Sequence, residues 1–542
     1  MAQRRTSRLV WLRRGVQSAC LLLFLCLFLE TADHPIDRAG GHIKLFFQLD
    51  PLAMLMTWLA SHALAAGMLL SLATLGITFL CGRWFCGWIC PLGTVHHFFT
   101  SLRGGRVKAM LADGEYNRWQ TAKYYVLIVF LGGALLGVNI AGWLDPISFL
   151  FRSLATAIYP ALDDAIVSLF GWIYDVHPGL GPVRVTAASE PVYEFLRRHF
   201  LTAAPPHYSG NLLIGFLFGA VLLLNFHRPR FWCRYVCPLG ALLGLAGKNP
   251  LVRLRKSSAC DQCRLCVADC QGGAYTSEVE HWKPAECFYC FNCQSACPPQ
   301  AISLGLERPR QWFKQFARPP KEERLDLGRR QALVSGAVGL SSVFLFRTHP
   351  LGRNRSFNPE LVRPPGSLGE DEFLARCIRC GECMKVCPTN AIHPAGLEAG
   401  FEGMWSPVLN MKIGYCEYEC TLCTQVCPSG AIRRLALAEK QKIKIGLAYI
   451  DRNRCLPYAY ARTCIVCEEH CPTPKKAIWL EEAVVTTAAG EKITVKQPRV
   501  DPELCIGCGI CVNKCVIKGQ PAVLVSSVGE TRNPENGVLL TG

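Results

Sequence analysis

Hydrophobic positions in this chain follow two patterns. Long apolar runs occupy 16–29, 62–80, 124–144 and 211–226, and a further run of 16 residues follows Arg329-Arg330 in GRRQALVSGAVGLSSVFLF. Beyond it the apolar residues come in short pieces punctuated by cysteine and proline. A bilayer asks for about 20 apolar residues per helical span, so the runs predict four spans, the first of them short, and a fifth, shorter anchor. Charge alternates between the runs. Segments 81–123 and 227–330 hold six and 17 Lys/Arg against two and nine acids, whereas 31–61 and 145–209 hold two and four against three and six. Basic loops stay in the cytoplasm. That places the N-terminus, with Arg4, Arg5, Arg8, Arg13 and Arg14, together with 81–123 and 227–330, on the inside.

Cysteine supplies the chemistry. In CIRCGECMKVCPTNAI the thiols of Cys377, Cys380, Cys383 and Cys387 precede Pro388 and Ala391-Ile392. This spacing wraps three sulfurs around one face of an iron-sulfur cube and sends the fourth, with its proline, toward a neighbouring cluster. Tetrahedral zinc also takes four thiolates, but zinc ribbons use two separated CxxC pairs. The stretch repeats as Cys260, Cys263, Cys266, Cys270; Cys287, Cys290, Cys293, Cys297; Cys416, Cys420, Cys423, Cys427; Cys455, Cys464, Cys467, Cys471; and Cys505, Cys508, Cys511, Cys515. Six tetrads thus take 24 of the 31 cysteines. The tail recurs as CPPQAI, CPTNAI, CPSGAI and CPTPKKAI, with looser CQGGAY and CVIKGQPAV. Cross-ligation predicts one cluster on Cys260, Cys263, Cys266 and Cys297, and another on Cys287, Cys290, Cys293 and Cys270. Three residues separate Cys416 from Cys420 and eight separate Cys455 from Cys464, so a loop must bulge there. Clustering this tight excludes a secreted disulfide framework. The predicted architecture is an α-helical membrane domain (four spans plus a fifth anchor) with α+β bacterial-ferredoxin-like modules.

Composition changes the picture in one respect. Fifty per cent hydrophobic content and a mean hydropathy of +0.20 over 542 residues fit a membrane part with soluble modules. The net charge of +17 sits largely beside apolar runs, and we read it as membrane orientation and not as nucleic-acid binding.

The membrane part hides a second repeat. RWFCGWICPLGT carries Cys86 and Cys90, RFWCRYVCPLGA carries Cys233 and Cys237, and Arg83 corresponds to Arg230. Upstream, LDPLAML at Asp50 matches LDPISFL at Asp145. Same-direction copies imply two halves related by an axis along the membrane normal. Cysteines four apart share a helix face, so the two pairs can converge as a four-sulfur site or as two redox-active dithiols; structural thiols at helix ends are the alternative. Asp50 and Asp145 read as helix caps before a first-turn proline, with a proton-handling or quinone-region role as the competing reading. No CxxCH occurs, and the one histidine in a predicted span, His62, lies at its edge, which excludes a bis-histidine haem mechanism.

Taken together, the four runs, the two CxxxCP motifs and the 255–304 dicluster stretch resemble NapH, the membrane ferredoxin of periplasmic nitrate reduction. The stretch from GRRQALV through RPPGSLGEDEFLARCIRCGECMKVCP resembles NapG and the methylamine-utilisation ferredoxin MauM. The resemblance implies a fusion: 1–250 as membrane domain, 251–307 as a cytoplasmic two-cluster module, 308–366 as basic linker, twin-arginine-like anchor helix and linker, and 367–542 as a four-cluster module on the periplasmic side. It implies a multi-pass protein of the bacterial inner membrane with six 4Fe-4S clusters, passing electrons from the quinone pool to a periplasmic cytochrome or reductase. An accessory role in reducing or maturing another enzyme's metal centres, or ferredoxin-to-quinone transfer, are the other functions such a chain could serve. The twin arginine has no A-x-A after its apolar run, so that run is expected to remain as an anchor.

Six cubanes predict about 24 iron atoms per chain and no haem. Iron analysis of anaerobically purified protein measures this; zinc in place of iron, or well under half that iron, contradicts it.

Overall fold

The computed structural model describes residues 8–31, 40–103, 107–176, 179–180, 183–202, 206–276, 282–307, 312, 325, 327–348, 358–486, 490–533 and 536. Arg4 and Arg5, most of the basic linker at 308–330 and the linker residues 349–357 lie outside the described residues. Two compact units emerge: Met1–Phe28, Lys44–Phe151 and Gly215–Leu345 form the first, and Leu29–Ile43, Arg152–Ile214 and Phe346–Gly542 the second.

Helix α1, Arg8–Glu30, contains the first predicted run. The two sequence repeats then fold alike. In copy one, α2 (Pro51–Ser61) starts at Asp50, α3 (Ser71–Cys81) follows, and α4 (Pro91–Ser101) starts at Cys90. Helix α5, Ala122–Leu135, leads into copy two. There α6 runs from Pro146 to Val176, α7 spans Asn211–His227, and α8 (Pro238–Ala246) starts at Cys237. Each CPLG places cysteine at the cap and proline in the first turn, where its missing N–H costs nothing. Strands β1 (Val252–Lys256) and β2 (Ile302–Leu306) pair antiparallel and bracket the first two tetrads.

The span pattern needs correction in three places. Residues Pro51–Ser61, expected in a loop, are helical, and the chain breaks at His62, which takes a left-handed φ of 53°. The run at 124–144 is helical only to Leu135. Segment 145–209, expected as a loop, holds the 31-residue helix Pro146–Val176, which with Arg8–Glu30 is one of two helices, among the described residues, long and apolar enough to cross a membrane alone. Asp163, Asp164 and Asp175 interrupt its sequence and concealed it from a reading by continuous runs. The twin-arginine segment forms α9, Arg329–Arg347. It packs on α5 through glycine: a Cβ at Gly132 would stand 3.1 Å from Gly339 Cα, and one at Gly339 would stand 2.6 Å from Val129 O. Backbones approach this closely only over small residues, which fits a retained helix.

The second unit is built on the four C-terminal tetrads. Its short antiparallel pairs are β3 (Ile392–Pro394) with β4 (Pro407–Leu409), β5 (Leu447–Ile450) with β8 (Val523–Ser526), and the hairpin β6 (Ile478–Thr486) with β7 (Lys492–Val500). One apolar cluster runs through Phe373, Met384, Ile392, Val426, Ile432, Ile478 and Val512. Arg152 and Tyr208 pack on it: Arg152 Nη1 donates to Arg379 O at 2.8 Å and its guanidinium lies over the Trp405 ring at 4.5 Å, while Tyr208 Oη donates to Met384 O at 3.2 Å. At the start of α10 (Glu370–Arg376), Glu370 meets Arg363 at 2.6 Å and Arg532 at 2.7 Å, joining the two ends of the module.

Burial alone would raise the Glu370 carboxyl, but Arg363 and Arg532 hold it down to about 2. A carboxylate lowered on folding stabilises fully above its unfolded value near 4.5 and stops doing so as the pH falls through its folded value. Its coupling is worth about 3 kcal/mol. We expect E370Q to lose stability of this order in urea followed by circular dichroism, by an amount constant from pH 7 to 5 and shrinking below 4. A gap that closes already between pH 7 and 5 contradicts the assignment.

Candidate iron-sulfur and thiol sites

In four tetrads the residues on either side of the second cysteine are left-handed: Gln262 and Arg264, Tyr289 and Phe291, Arg379 and Gly381, Gly507 and Gly509. This kink turns three successive thiols to one side. Glycine adopts it freely, whereas Tyr289 and Phe291 hold it as bulky residues in a sparsely allowed region, a strain that a structure keeps for function. The tail has an equally local cause. Gly273, Gln300, Asn390 and Gly430, just before the tail alanine, are left-handed. The alanines themselves, Ala274, Ala301, Ala391, Ala431, Ala477 and Ala522, are buried in all six tetrads. Ala391 N donates to Cys387 Sγ at 3.4 Å, Ala274 N to Cys270 at 3.5 Å and Ala522 N to Cys515 at 3.4 Å.

The cysteines gather three from one tetrad and one from its partner. Cys377, Cys380 and Cys383 share a cavity with Cys427, Cys505, Cys508 and Cys511 share one with Cys471, and Cys287, Cys290 and Cys293 share one with Cys270. Electrostatic contact extends the scheme to Cys297 with Cys263 and Cys266, Cys387 with Cys416, Cys420 and Cys423, and Cys515 with Cys455, itself close to Cys464 and Cys467. The expected bulges are present; between Cys455 and Cys464 the chain makes the short helix Leu456–Ala459. Cys416 N donates to Cys508 O at 2.8 Å, so the two pairs of sets in this module adjoin. Among the described residues no three His, Cys, Asp or Glu side chains close on a single-ion position. One zinc would hold its thiolates about 3.8 Å apart, given Zn–S near 2.3 Å; a cubane spreads them wider. Burial, and then neighbouring thiols, push Cys383 and Cys511 well up, so such sets persist as thiolates only around a bound cation. These donors fit 4Fe-4S clusters.

The CxxxC motifs build a different centre. Cys86, Cys90, Cys233 and Cys237 are all buried, and the charges of Cys86, Cys90 and Cys233 all reach Cys237. The sequence repeat becomes a set of reciprocal contacts: Arg83 Nη2 donates to Cys233 O at 3.5 Å, and Arg230 Nη1 donates to Cys86 O at 3.3 Å. Gly240 N donates to Cys237 Sγ at 3.2 Å. A Cβ at Gly93 would stand 2.8 Å from Cys86 O and one at Gly240 2.6 Å from Arg83 Nη2, which accounts for the glycine of both CPLG motifs.

The loop between Cys287 and Cys290 seats on this centre. The Phe288 ring lies between the Arg83 and Arg230 guanidiniums, 4.9 Å from each, and Trp88 Nε1 donates to Tyr289 O at 3.0 Å. Behind it Glu286, fully buried, meets Arg83 at 3.3 Å, Tyr124 Oη at 2.8 Å and Lys123. Buried Arg83, Arg230 and Lys123 thus oppose one buried carboxylate, an excess of positive charge beside four thiols. Sequence reading found the cysteines and arginines but not Phe288 or Glu286. For Phe288 the available signal is the aromatic-rich CFYCFNC; for Glu286 there is none.

Comparison with known proteins finds 4Fe-4S models over both kinds of centre. A 4Fe-4S binding-domain model matches twice, at 63–109 and 210–258, over both CxxxCPLG copies; a 4Fe-4S dicluster-domain model matches 376–431, and another 4Fe-4S binding-domain model matches 498–515. The methylamine utilization ferredoxin-type protein MauM of Methylorubrum extorquens is 33% identical over 228 residues, 40% of this chain and 95% of that protein. Ferredoxin-type protein NapG of Escherichia coli is 35% identical over 30% of this chain and 69% of its own length. The chain belongs to the NapG/MauM family of ferredoxin-type proteins. It is an iron-sulfur electron-transfer protein. Both relatives are far shorter than this chain, so the NapG/MauM likeness leaves more than half of it to be read from its own residues. No solved structure matches.

A Cβ at Gly87 would stand 2.0 Å from Phe288 O, whereas one at Gly76 meets nothing within 4 Å. We expect G87A to push the Cys287 loop off its seat and lower the iron content by about four atoms, one cubane, while G76A is silent. Iron analysis and the EPR of dithionite-reduced protein check this; a full complement in G87A contradicts it.

Proposed function

We propose that this NapG/MauM-family protein is a membrane-anchored conduit that takes electrons from quinol and delivers them to a periplasmic redox protein. Its six cysteine sets would hold six 4Fe-4S clusters, which supply one-electron carriers when bound. The observation that carries the reading is the seat of Phe288: an aromatic ring between two arginines joins the duplicated thiol centre directly to the Cys287 ligand loop. The buried cations around the thiols favour their electron-rich form.

A NapH-like, multi-pass arrangement finds support in the reciprocal arginine contacts, which a same-direction duplication about a membrane-normal axis would give, and in the glycine-packed α9. Residues 152–214 share a unit with the four-tetrad module, whose Cys380-Gly381 loop lies against Arg152. In this reading the twin-arginine helix α9 would carry the module to the periplasmic face. For quinol, a cavity of about 310 Å³ lined by Arg14, His97, Arg103 and Gln271 opens beside Cys270, within the size range of small-molecule sites. There His97, bonded through Nδ1 to Gln271 at 2.8 Å, would meet a quinol hydroxyl. Asp50 and Asp145, expected near the quinone, do not line this cavity.

Replacing any one of Cys86, Cys90, Cys233 or Cys237 by Ser removes no tetrad ligand. Each variant should keep its iron and its dithionite-reduced EPR spectrum, while cluster reduction by a quinol analogue drops to background. Normal quinol-dependent reduction in all four would remove the thiols from the path. Loss of folded protein without change in the activity of what remains would make them structural.

A further inference from the structure

The tail that closes each tetrad sets one apolar side chain after its buried alanine: Ile302, Ile392, Ile432 and Ile478, with Val523 in the looser sixth copy. The first tail, CQGGAY, puts Tyr275 there instead. This position faces the cysteine cavities. Ile432 lines the cavity of the Cys377 set and Ile478 that of the Cys505 set, while Tyr275 lines that of Cys287, Cys290, Cys293 and Cys270. The backbone holds the ring in place: Tyr275 bridges Glu115 on one side and Trp282 on the other, and its carbonyl accepts from Tyr116 N at 2.6 Å.

The hydroxyl is what sets this wall apart from the isoleucine ones. Tyr275 is 2% exposed, and its Oη is buried with no partner of hydrogen-bond geometry in the protein. The neighbouring Tyr289 Oη, by contrast, donates to Val252 O at 3.1 Å. A buried O–H without an acceptor costs stability, and a Phe would fill the same space without that cost. The acceptors its surroundings offer are sulfurs: Tyr275 shares an apolar core with Cys266, and Cys270, Cys293 and Cys297 pack against it. A hydrogen bond to sulfur holds the reduced form of a cluster, which carries one more negative charge, more strongly than the oxidised form, and so raises its potential.

We propose that Tyr275 sets the potential of the 4Fe-4S cluster held by Cys287, Cys290, Cys293 and Cys270, its hydroxyl donating to a sulfur of that cluster and raising its potential above that of the neighbour on Cys260, Cys263, Cys266 and Cys297. Reduction there adds one electron and no proton, and the tyrosine keeps its O–H bond. An electron entering the two-tetrad module therefore settles at the set whose Cys287 loop seats on the duplicated thiol centre. This role rests on the sets holding 4Fe-4S clusters, as proposed above, and holds whichever donor feeds the chain.

Redox titration of the intact protein followed by EPR, with iron analysis, tests the role. Y275F, which removes only the hydroxyl, should keep its full iron and lower the midpoint potential of one signal, the one that C290S abolishes. The other midpoints should stay in place. Incorporation of 3-fluorotyrosine at position 275, a stronger donor of nearly the same shape, should raise that same midpoint. Full iron with unchanged midpoints in Y275F overturns the proposal, as does a shift confined to a signal that C290S leaves intact, or shifts of the same sign in both proteins. Where Y275F loses iron, the fluorotyrosine protein decides alone, and an unmoved midpoint in it overturns the proposal. Wild-type iron well below the six-cubane complement overturns the cluster reading itself, and the role with it.

Discussion

Four thiolates carry more charge than an apolar interior can hold unaided, and the whole chain is arranged around meeting that cost. In the ferredoxin-type modules bound iron would supply compensation, and backbone amides add to it. Amide N–H groups of the tail alanines turn toward sulfur because a left-handed residue precedes them. In the duplicated centre the compensation comes from side chains. Arg83 and Arg230 cross from one repeat to the other, Lys123 stands behind them, and Glu286 tempers the excess. Removing one partner of such a buried group leaves an unpaired charge, at a cost of about 3–5 kcal/mol. The arrangement is therefore rigid as well as charged, and it fixes the Phe288 loop where the two centres meet.

Much of the candidate site was legible in the sequence because its causes are local. Spacing of x2, x2, x3 and the CPxxAI tail each depend on a few consecutive φ values, and the structure sets Cys270 in one cavity with Cys287, Cys290 and Cys293. Spans were less legible. Apolar runs locate helices but not their breaks: Leu136 ends a helix inside a run that looks continuous, and His62 ends one where a run begins. The long helix Pro146–Val176 was masked by its three aspartates, of which Asp163 is buried and bonded to Thr202 N at 3.3 Å. Long-range partners were least legible of all: nothing near Glu286 in the sequence announces that Arg83 and Lys123 will meet it.

The same limit explains the aspartates. Asp-Pro signals a helix start, and both residues do cap helices, but a cap uses one carboxyl oxygen and the sequence is silent on the other. Only the fold shows that the other oxygens, Asp50 Oδ2 and Asp145 Oδ1, are buried without a donor.

An account in which one chain carries electrons from quinol to an acceptor on the far side of a membrane makes a direct demand of vectorial transfer. In sealed proteoliposomes sorted so that the four-tetrad module faces outward, quinol added to the bilayer should reduce a membrane-impermeant oxidant outside. In vesicles of the opposite orientation it should not. Equal rates in both orientations, or no reduction in either while dithionite still reduces the clusters, would contradict the account.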